Sequence, residues 1–511
     1  MKKHLANGSN RVFTRKSRLG EFVYKAEMNR AVRNGSSGTS LRVGLFGIGL
    51  DAYWPQFDGL KNRLEGYLQI TCRRLARPGV EVVDLGLVDT PAKAVEAGHR
   101  FRREDVDLIF LHVTTYALSS TVLPVVQRAK VPVIILNVSP AAAIDYAKFN
   151  KMGDRTAMTG EWLAHCGACP VPEIANVFNR AKIPFYQITG MLQDDPMVWS
   201  EVDAWLEAAR VAGVMFHNRL GVMGNYYGGM LDIYSDFTQH CATFGGHVEI
   251  IEVDELAALR RDVTAKQIKS RVAEFAHAFE IQNDCVPAEL ERAARTSVAL
   301  DRLVKNHDLG SLAYYYRGTG QPENEDAISS IILGNSLLTA RGIPVAGEYE
   351  IKNAQAMKIM DTFGAGGSFT EYYAMDFNDD IVLMGHDGPG HIAIAEGKTK
   401  VRPLQVYHGK VGCGLSVEMC VRHGPVTLLS VVQTVDGKLK FLMAEAESVA
   451  GPILKIGNTN SRYRFSLGAR KFMETWNLHG PAHHCAVGVG HITDKLQKLA
   501  ALLGIEAVRV C

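Results

Sequence analysis

Between Leu41 and Ser139 the chain carries four short apolar runs rich in β-branched residues: LRVGLFGIG (41–49), EVVDLGLV (81–88), VDLIFLHV (106–113) and PVIILNVS (132–139). Helix-length stretches such as DGLKNRLEGYLQITCRRLA separate them. Strands that stay apolar on both faces and are joined through helices belong to a parallel sheet buried on both sides. In such sheets ligands sit at the carboxyl ends of the strands. The first of those ends reads GIGLDA (47–52). It has two glycines of a dinucleotide fingerprint and lacks the third, so that role is rejected.

A second α/β unit is expected from about residue 212, with AGVMFHNRLG and GHVEIIEVDEL as strands. Helical patterns follow around 255–280 and 287–306, then a strand at SLAYYYRG, a helix near 324–341 and a strand at IPVAGE. The last part changes character: IVLMGH, RPLQVYH, VTLLSVVQTVDGKLKFLMAEAES and HCAVGVGH read as strands joined by short turns, with VDG as a hairpin signal. The expected fold class is α/β: two Rossmann-like α/β domains with parallel sheets, then a β-rich C-terminal domain. The expected boundaries are a flexible basic arm over 1–40, an N-terminal α/β domain over 41–211, a central α/β domain over 212–362 and the β-rich domain over 363–511. In the arm, Lys and Arg outnumber the two acids Glu21 and Glu27, and NGSSGTS reads as a linker. It has no apolar core of the kind a secretory leader needs.

The formal net charge of +2 argues against nucleic acid or an anionic membrane as the main partner. No run of about 18 apolar residues suggests a membrane span. Nine cysteines, an odd number without a secretory leader, point to reduced thiols in the cytoplasm. Cys166 and Cys169 form one CxxC. A zinc ribbon needs a second pair, and a thioredoxin-like context is missing, so the pair reads as structural.

Chemistry concentrates in the last third. Glu348 in IPVAGEYEIKNA, Glu371 in GAGGSFTEYYAMDF and His386 in IVLMGHDGPGH each stand where an apolar element ends or meets glycine-rich backbone. HGPAHHCAVGVGH (479–491) adds four histidines. In an extended segment adjacent side chains face opposite ways, so His483 and His484 are not expected to enter one metal shell together. Two carboxylates and two imidazoles suit a divalent ion such as Mn²⁺. Paired carboxylates beside it can move a proton between the carbons of an aldose and a ketose. GAGG (364–367) lacks the Lys and Ser/Thr of a P-loop. His408, His423, His479 and His491 read as structural or surface residues.

The motifs VAGEYEIKNA, GGSFTEYYAMDF, VLMGHDGPGHIAIA and HGPAHHC, in this order, resemble those of the L-arabinose isomerase family, with L-fucose isomerase a more distant likeness. The resemblance implies that Glu348, Glu371, His386 and His484 bind Mn²⁺ or another divalent cation. It implies Glu348 and Glu371 as the catalytic acid/base pair. It also implies a homo-oligomer, commonly a hexamer, with the active site at a subunit interface. His483 is then free to orient a neighbour or to touch the substrate.

Three places depart from the family. Its Glu-Asp-Tyr is Glu371-Tyr372-Tyr373 here. Its Gln-His after the first strand is Asp51-Ala52, and its Gln-Thr-Ala-His is RTAM, with Arg155 and Met158 at the ends. Asp51, Arg155 and Met158 are candidate substrate-binding residues; Asp51 and Arg155 either read a different hydroxyl pattern or an anionic group, or are scaffold. The expected function is a metal-dependent aldose–ketose isomerase for a free pentose or deoxyhexose. The alternatives are a lyase or epimerase acting on a modified sugar, and a sugar-binding or regulatory protein that has lost catalysis.

Overall fold

A computed structural model describes residues 40–404 and 412–511. The expected basic arm, up to Gly38 and Thr39, and His408 lie outside the described residues. The chain divides between Glu201 and Val202 into two compact units.

The first unit is built on β1 (Leu41–Ile48), β2 (Val80–Val88), β3 (Leu108–His112), β4 (Val133–Ser139) and β5 (Phe185–Met191). They form one parallel sheet in the order β2-β1-β3-β4-β5. Every residue of β3 is buried, as expected of a strand covered on both faces. The connecting helices carry clear start signals: Thr90 accepts a hydrogen bond from the Lys93 N–H, with Pro91 following it, and Asp154 accepts from the Thr156 N–H. The chain goes from β1 outward to β2, then returns to β3 on the other side. The strand order therefore reverses between β1 and β3, the place where such sheets open a crevice.

The second unit holds three sheets. β6 (Arg219–Gly224), β7 (His247–Ile251), β9 (Ser311–Tyr315) and the short β10 (Val345–Ala346) form a parallel sheet in the order β10-β9-β6-β7. β8 (Glu280–Ile281) pairs with β13 (Lys400–Leu404), which pairs with β14 (Gly414–Glu418). The third sheet contains β11 (Ser368–Asp376), β12 (Ile381–His386), β15 (Gly424–Gln433), β16 (Leu439–Val449), β17 (Thr459–Phe465), β18 (His484–Val489) and β19 (Glu506–Arg509). Its order is β15-β18-β11-β12-β17-β16-β19, and β15 also pairs with β16. That extra pairing closes six antiparallel strands into a barrel, which removes the exposed edges of an open sheet. The VDG turn joins β15 to β16, with Gly437 at φ +78°.

The parallel-sheet α/β units and the β-rich C-terminal region match the expected fold class. Local readings differ in places. The apolar stretch of AGVMFHNRLG belongs largely to a helix, Pro196–Phe216, and the strand begins only at Arg219. A short apolar run has no periodicity that separates buried helix from strand. The helical patterns at 255–280 and 324–341 are each two helices: Val253–Arg261 with Ala265–Ala278, and Pro322–Ser329 with Ile332–Ala340. Thr264 restarts the chain in the first case with a full capping box to Gln267.

The helix Ile351–Thr362 is buried on nearly every side, polar residues Lys352, Asn353 and Gln355 included. A helix in the core is normally apolar all round. Of its buried polar residues, Lys352 finds its partners at the site described next, in the Asp232 carbonyl and Glu350. Among the described residues no helix is long and apolar enough to cross a membrane.

Candidate active site

One end of the barrel gathers the acidic and imidazole side chains. On β11, Glu371 stands directly opposite His484 of β18 and opposite Gly385 of β12. A Cβ at Gly385 would lie 1.8 Å from the Thr459 carbonyl oxygen, so only glycine allows β12 and β17 to close at this point. The next residue, His386, is the last of β12. Glu348 comes from the turn after β10, where it and Tyr349 both take left-handed backbone angles, φ +58° and +63°. Each costs of order 1 kcal/mol or more for a residue with a Cβ. Two in succession at a buried turn mark a backbone shaped to aim the Glu348 carboxylate.

Glu348, His386 and His484 each offer a ligand atom, and these atoms lie within 4.8 Å of one another. Glu371, His483 and His484 form a second such group. The structure thus brings together Glu348, Glu371, His386 and His484, with His483 beside them. Nε2 of His484 is 3.4 Å and Nε2 of His386 is 4.0 Å from the Glu348 carboxylate. Phe369, two residues before Glu371 on the same face of β11, packs its ring 4.4 Å from both imidazoles and forms an apolar floor.

The ring orientations are fixed from behind. Nδ1–H of His484 donates to the Glu350 carboxylate at 2.6 Å, and both side chains are fully buried. Nδ1–H of His386 donates to the Asp387 carbonyl at 2.8 Å. Each bond leaves the Nε2 lone pair facing the site, the tautomer a metal ligand requires. Nε2 of His484 is buried and has no hydrogen-bond partner among the described residues. An uncompensated buried acceptor beside two carboxylates is the environment a divalent cation satisfies, so these residues fit one. Burial pushes the Glu371 carboxyl up, His484 opposes that rise, and the nearby Glu348 charge adds to it.

His483 corrects the alternation expected for HHCAVGV. β18 begins at His484, so His483 precedes the strand and escapes its two-residue period. The two rings lie 3.8 Å apart, centroid to centroid. His483 is held by Asp232, which accepts both its backbone N–H at 2.9 Å and its Nδ1–H at 2.6 Å. Burial works against its protonation, but the Glu348 and Asp232 carboxylates outweigh that and raise it to about 9. Lys352 completes the support. Its ammonium donates to the Asp232 carbonyl and lies 3.4 Å from Glu350.

Glu350, Asp232, Lys352 and Phe369 were not singled out from the sequence. Glu350 had a signal, a second acid two residues after Glu348 at the start of a buried helix. Asp232 had none, because its partner His483 is 251 residues away.

Tyr372, at the position of the family's aspartate, points to the other side of β11. Its ring packs against Phe472 and Trp476 in the barrel core. The aspartate's loss therefore leaves the supports of the two imidazoles in place. Tyr373 turns back toward the site end and accepts a hydrogen bond from Asn458 at 2.9 Å.

Asp51, Arg155 and Met158 belong to the first unit. Asp51 is exposed just beyond β1, with its carboxylate bonded to the Ala52 N–H. Arg155 is exposed and Met158 half-buried on the helix Arg155–Leu163, which follows the carboxyl end of β4. All three stand on the side of the sheet where its strands end.

Residues 366–506 match the family model for the L-arabinose isomerase C-terminal domain. That span contains Glu371, His386 and both histidines of the pair, and Glu348 lies just before it. The L-arabinose isomerase of Shewanella baltica (strain OS223) is 25% identical over 334 residues, covering 61% of this chain and 63% of its own length. Those of Nocardioides sp. (strain ATCC BAA-499 / JS614) and Anoxybacillus flavithermus (strain DSM 21510 / WK1) are 22% and 21% identical, covering 66% and 62% of this chain and 68% and 64% of theirs. The chain thus matches the first of these relatives over somewhat less than two thirds of its length. Among solved structures, D-lactate dehydrogenase from Escherichia coli aligns at 11% identity and a TM-score of 0.14 over 64% of this chain and 95% of its own, which carries no argument. By its ordered motifs and these matches, the chain is similar to the L-arabinose isomerases, and the likeness is carried most clearly by residues 366–506, which match the model of their C-terminal domain.

Proposed function

We propose that the protein is a divalent-metal-dependent aldose–ketose isomerase acting on a free sugar of the pentose or deoxyhexose class. The observation that carries this reading is the meeting of Glu348, Glu371, His386 and His484 at one end of the barrel, with both imidazoles turned to present Nε2. When bound there, Mn²⁺ or another divalent cation polarises the sugar carbonyl and aligns it with the adjacent hydroxyl. Glu348 and Glu371 are the acid/base pair. One takes the proton from the carbon beside the carbonyl, and the proton returns to the neighbouring carbon through a cis-enediol. Glu350 and the Asp387 carbonyl hold the two ligand rings. His483, anchored by Asp232 and partly exposed, carries its Nε2 3.7 Å from Glu348 and offers that edge to a sugar oxygen.

Asp51, Arg155 and Met158 are the residues we assign to reading the sugar. They differ from the family's polar pairs, so the substrate is expected to differ from L-arabinose. The same departures support a second reading, a lyase or epimerase that uses enediol chemistry on a modified sugar. A homo-oligomer, hexameric as in the family, and a cytoplasmic location with nine reduced thiols complete the proposal.

A screen of aldoses and ketoses with Mn²⁺, read by NMR of the products, tests it. Aldose–ketose interconversion supports the isomerase. Loss of a substituent or inversion at one carbon supports the second reading. Sugar binding without turnover favours a non-catalytic relative.

A further inference from the structure

Cys166 and Cys169 lie in the turn between the helices Arg155–Leu163 and Val171–Ala181. The turn is packed onto the carboxyl end of β3. A Cβ at Gly167 would stand 2.9 Å from the Val113 carbonyl oxygen, and Thr115 donates its hydroxyl to the Leu163 carbonyl at 2.7 Å. No other two of the nine cysteines are so close in sequence. Cys166 is buried. The Cys169 thiol and the backbone of Cys169 and Tyr116 all act on its ionisation. Cys169 is exposed.

One thiol is therefore open to a reagent, and the other lies buried three residues before it in the same turn. A structural zinc needs four ligands, and here there are two thiols. The adjacent His165 is engaged with Glu161 at 3.3 Å and is not available as a third. Two thiols in one turn with unequal access suit stepwise thiol–disulfide exchange instead. Burial pushes the Cys166 thiol up to about 12, so the inner sulfur stays protonated until the outer one has reacted.

We propose that Cys166 and Cys169 form a reversible intramolecular disulfide by exchange with a low-molecular-weight disulfide such as oxidised glutathione. The Cys169 thiolate attacks one sulfur of that disulfide, expels a thiolate and becomes a mixed disulfide. Cys166 then gives its proton to solvent, attacks the Cys169 sulfur and expels the second thiolate. The two cysteines lose two electrons and two protons, and the small disulfide is reduced to two thiols. The site stands at the crevice edge of the first sheet. Tyr53, two residues after Asp51, lies close enough to feel the charge of both sulfurs. Oxidation pins the turn beside that residue.

Trypsin releases both cysteines, and no others, in one peptide, Thr156–Arg180. The full-length protein is equilibrated with oxidised glutathione, its remaining thiols are alkylated, and this peptide is weighed. The expected wild-type product is the unalkylated peptide lighter by two hydrogens, reversed by dithiothreitol. In Cys166→Ser the expected product is a lasting glutathione adduct on Cys169. A wild-type peptide that stays reduced, or that carries glutathione, overturns the proposal. So does a Cys166→Ser protein with no adduct.

Discussion

The Glu350 carboxylate lies 2.6 Å from Nδ1 of His484, and neither side chain is exposed to solvent. A carboxylate behind an imidazole fixes the tautomer and raises the basicity of the nitrogen in front. Removing such a support typically costs about 10- to 100-fold in metal affinity. Glu350→Ala is expected to weaken Mn²⁺ binding by that amount in a calorimetric titration, and Glu350→Gln by less, because the amide oxygen still accepts the Nδ1–H. Equal affinity in all three proteins would remove Glu350 from the account.

Glu348 and Glu371 are assigned the proton transfer. General acid–base groups contribute about 10²- to 10⁴-fold to rate. Glu348→Gln and Glu371→Gln are each expected to lower kcat by at least about 10²-fold, with far-ultraviolet circular dichroism unchanged. Steady-state kinetics on the sugar found by the screen checks this.

Metal binding is expected to stabilise the fold. A ligand at 100 times its Kd adds about 2.7 kcal/mol. Mn²⁺ should therefore raise the Tm of metal-stripped protein, and His386→Ala together with His484→Ala should abolish the rise. Differential scanning calorimetry with and without chelator measures both.

Tyr372 replaces a family aspartate and is packed against Phe472 and Trp476. Tyr372→Asp puts a charge into that cluster and removes an aromatic contact. The expected loss is about 2–3 kcal/mol, below the range for a fully buried aromatic because Tyr372 is only partly covered. Urea denaturation reads the loss, and no gain in activity is expected.

Asp326 ties two helices through Arg260 and Arg292. Burial opposes its ionisation, but the two guanidinium groups prevail and hold it below the usual carboxylate range. A carboxyl depressed in the folded state stabilises the fold above its unfolded pKa of about 3.9. That stability is lost as pH falls through the folded value. Asp326→Asn should lower stability near neutral pH and flatten its acid decline. Urea midpoints measured as a function of pH test both, with a modest amplitude because the side chain is 44% exposed.

Much of this was legible before any coordinates. The four strands of the first sheet stood out because burial on both faces removes polar residues from them. The positions of Glu348, Glu371, His386 and His484 came from ordered motifs, not spacing, since residues this far apart have no local signature. What stayed hidden was long-range. The VDG hairpin of β15 and β16 was legible, but the β15–β18 pairing that joins it to the rest of the barrel depends on a register no local pattern encodes. Asp232 reaches His483 across most of the second unit. The strand read at AGVMF was a helix end, because an apolar run that short fits either element.

The central claim is that the site at the barrel end interconverts an aldose and a ketose. It is tested most directly by incubating the Mn²⁺-loaded protein with pentoses and deoxyhexoses in D₂O and following the sugars by NMR. The account predicts aldose–ketose interconversion of at least one of them, with deuterium appearing at the carbon that gains the proton, stopped by chelator and restored by Mn²⁺. A protein that binds Mn²⁺ at these residues yet interconverts none of these sugars would contradict it.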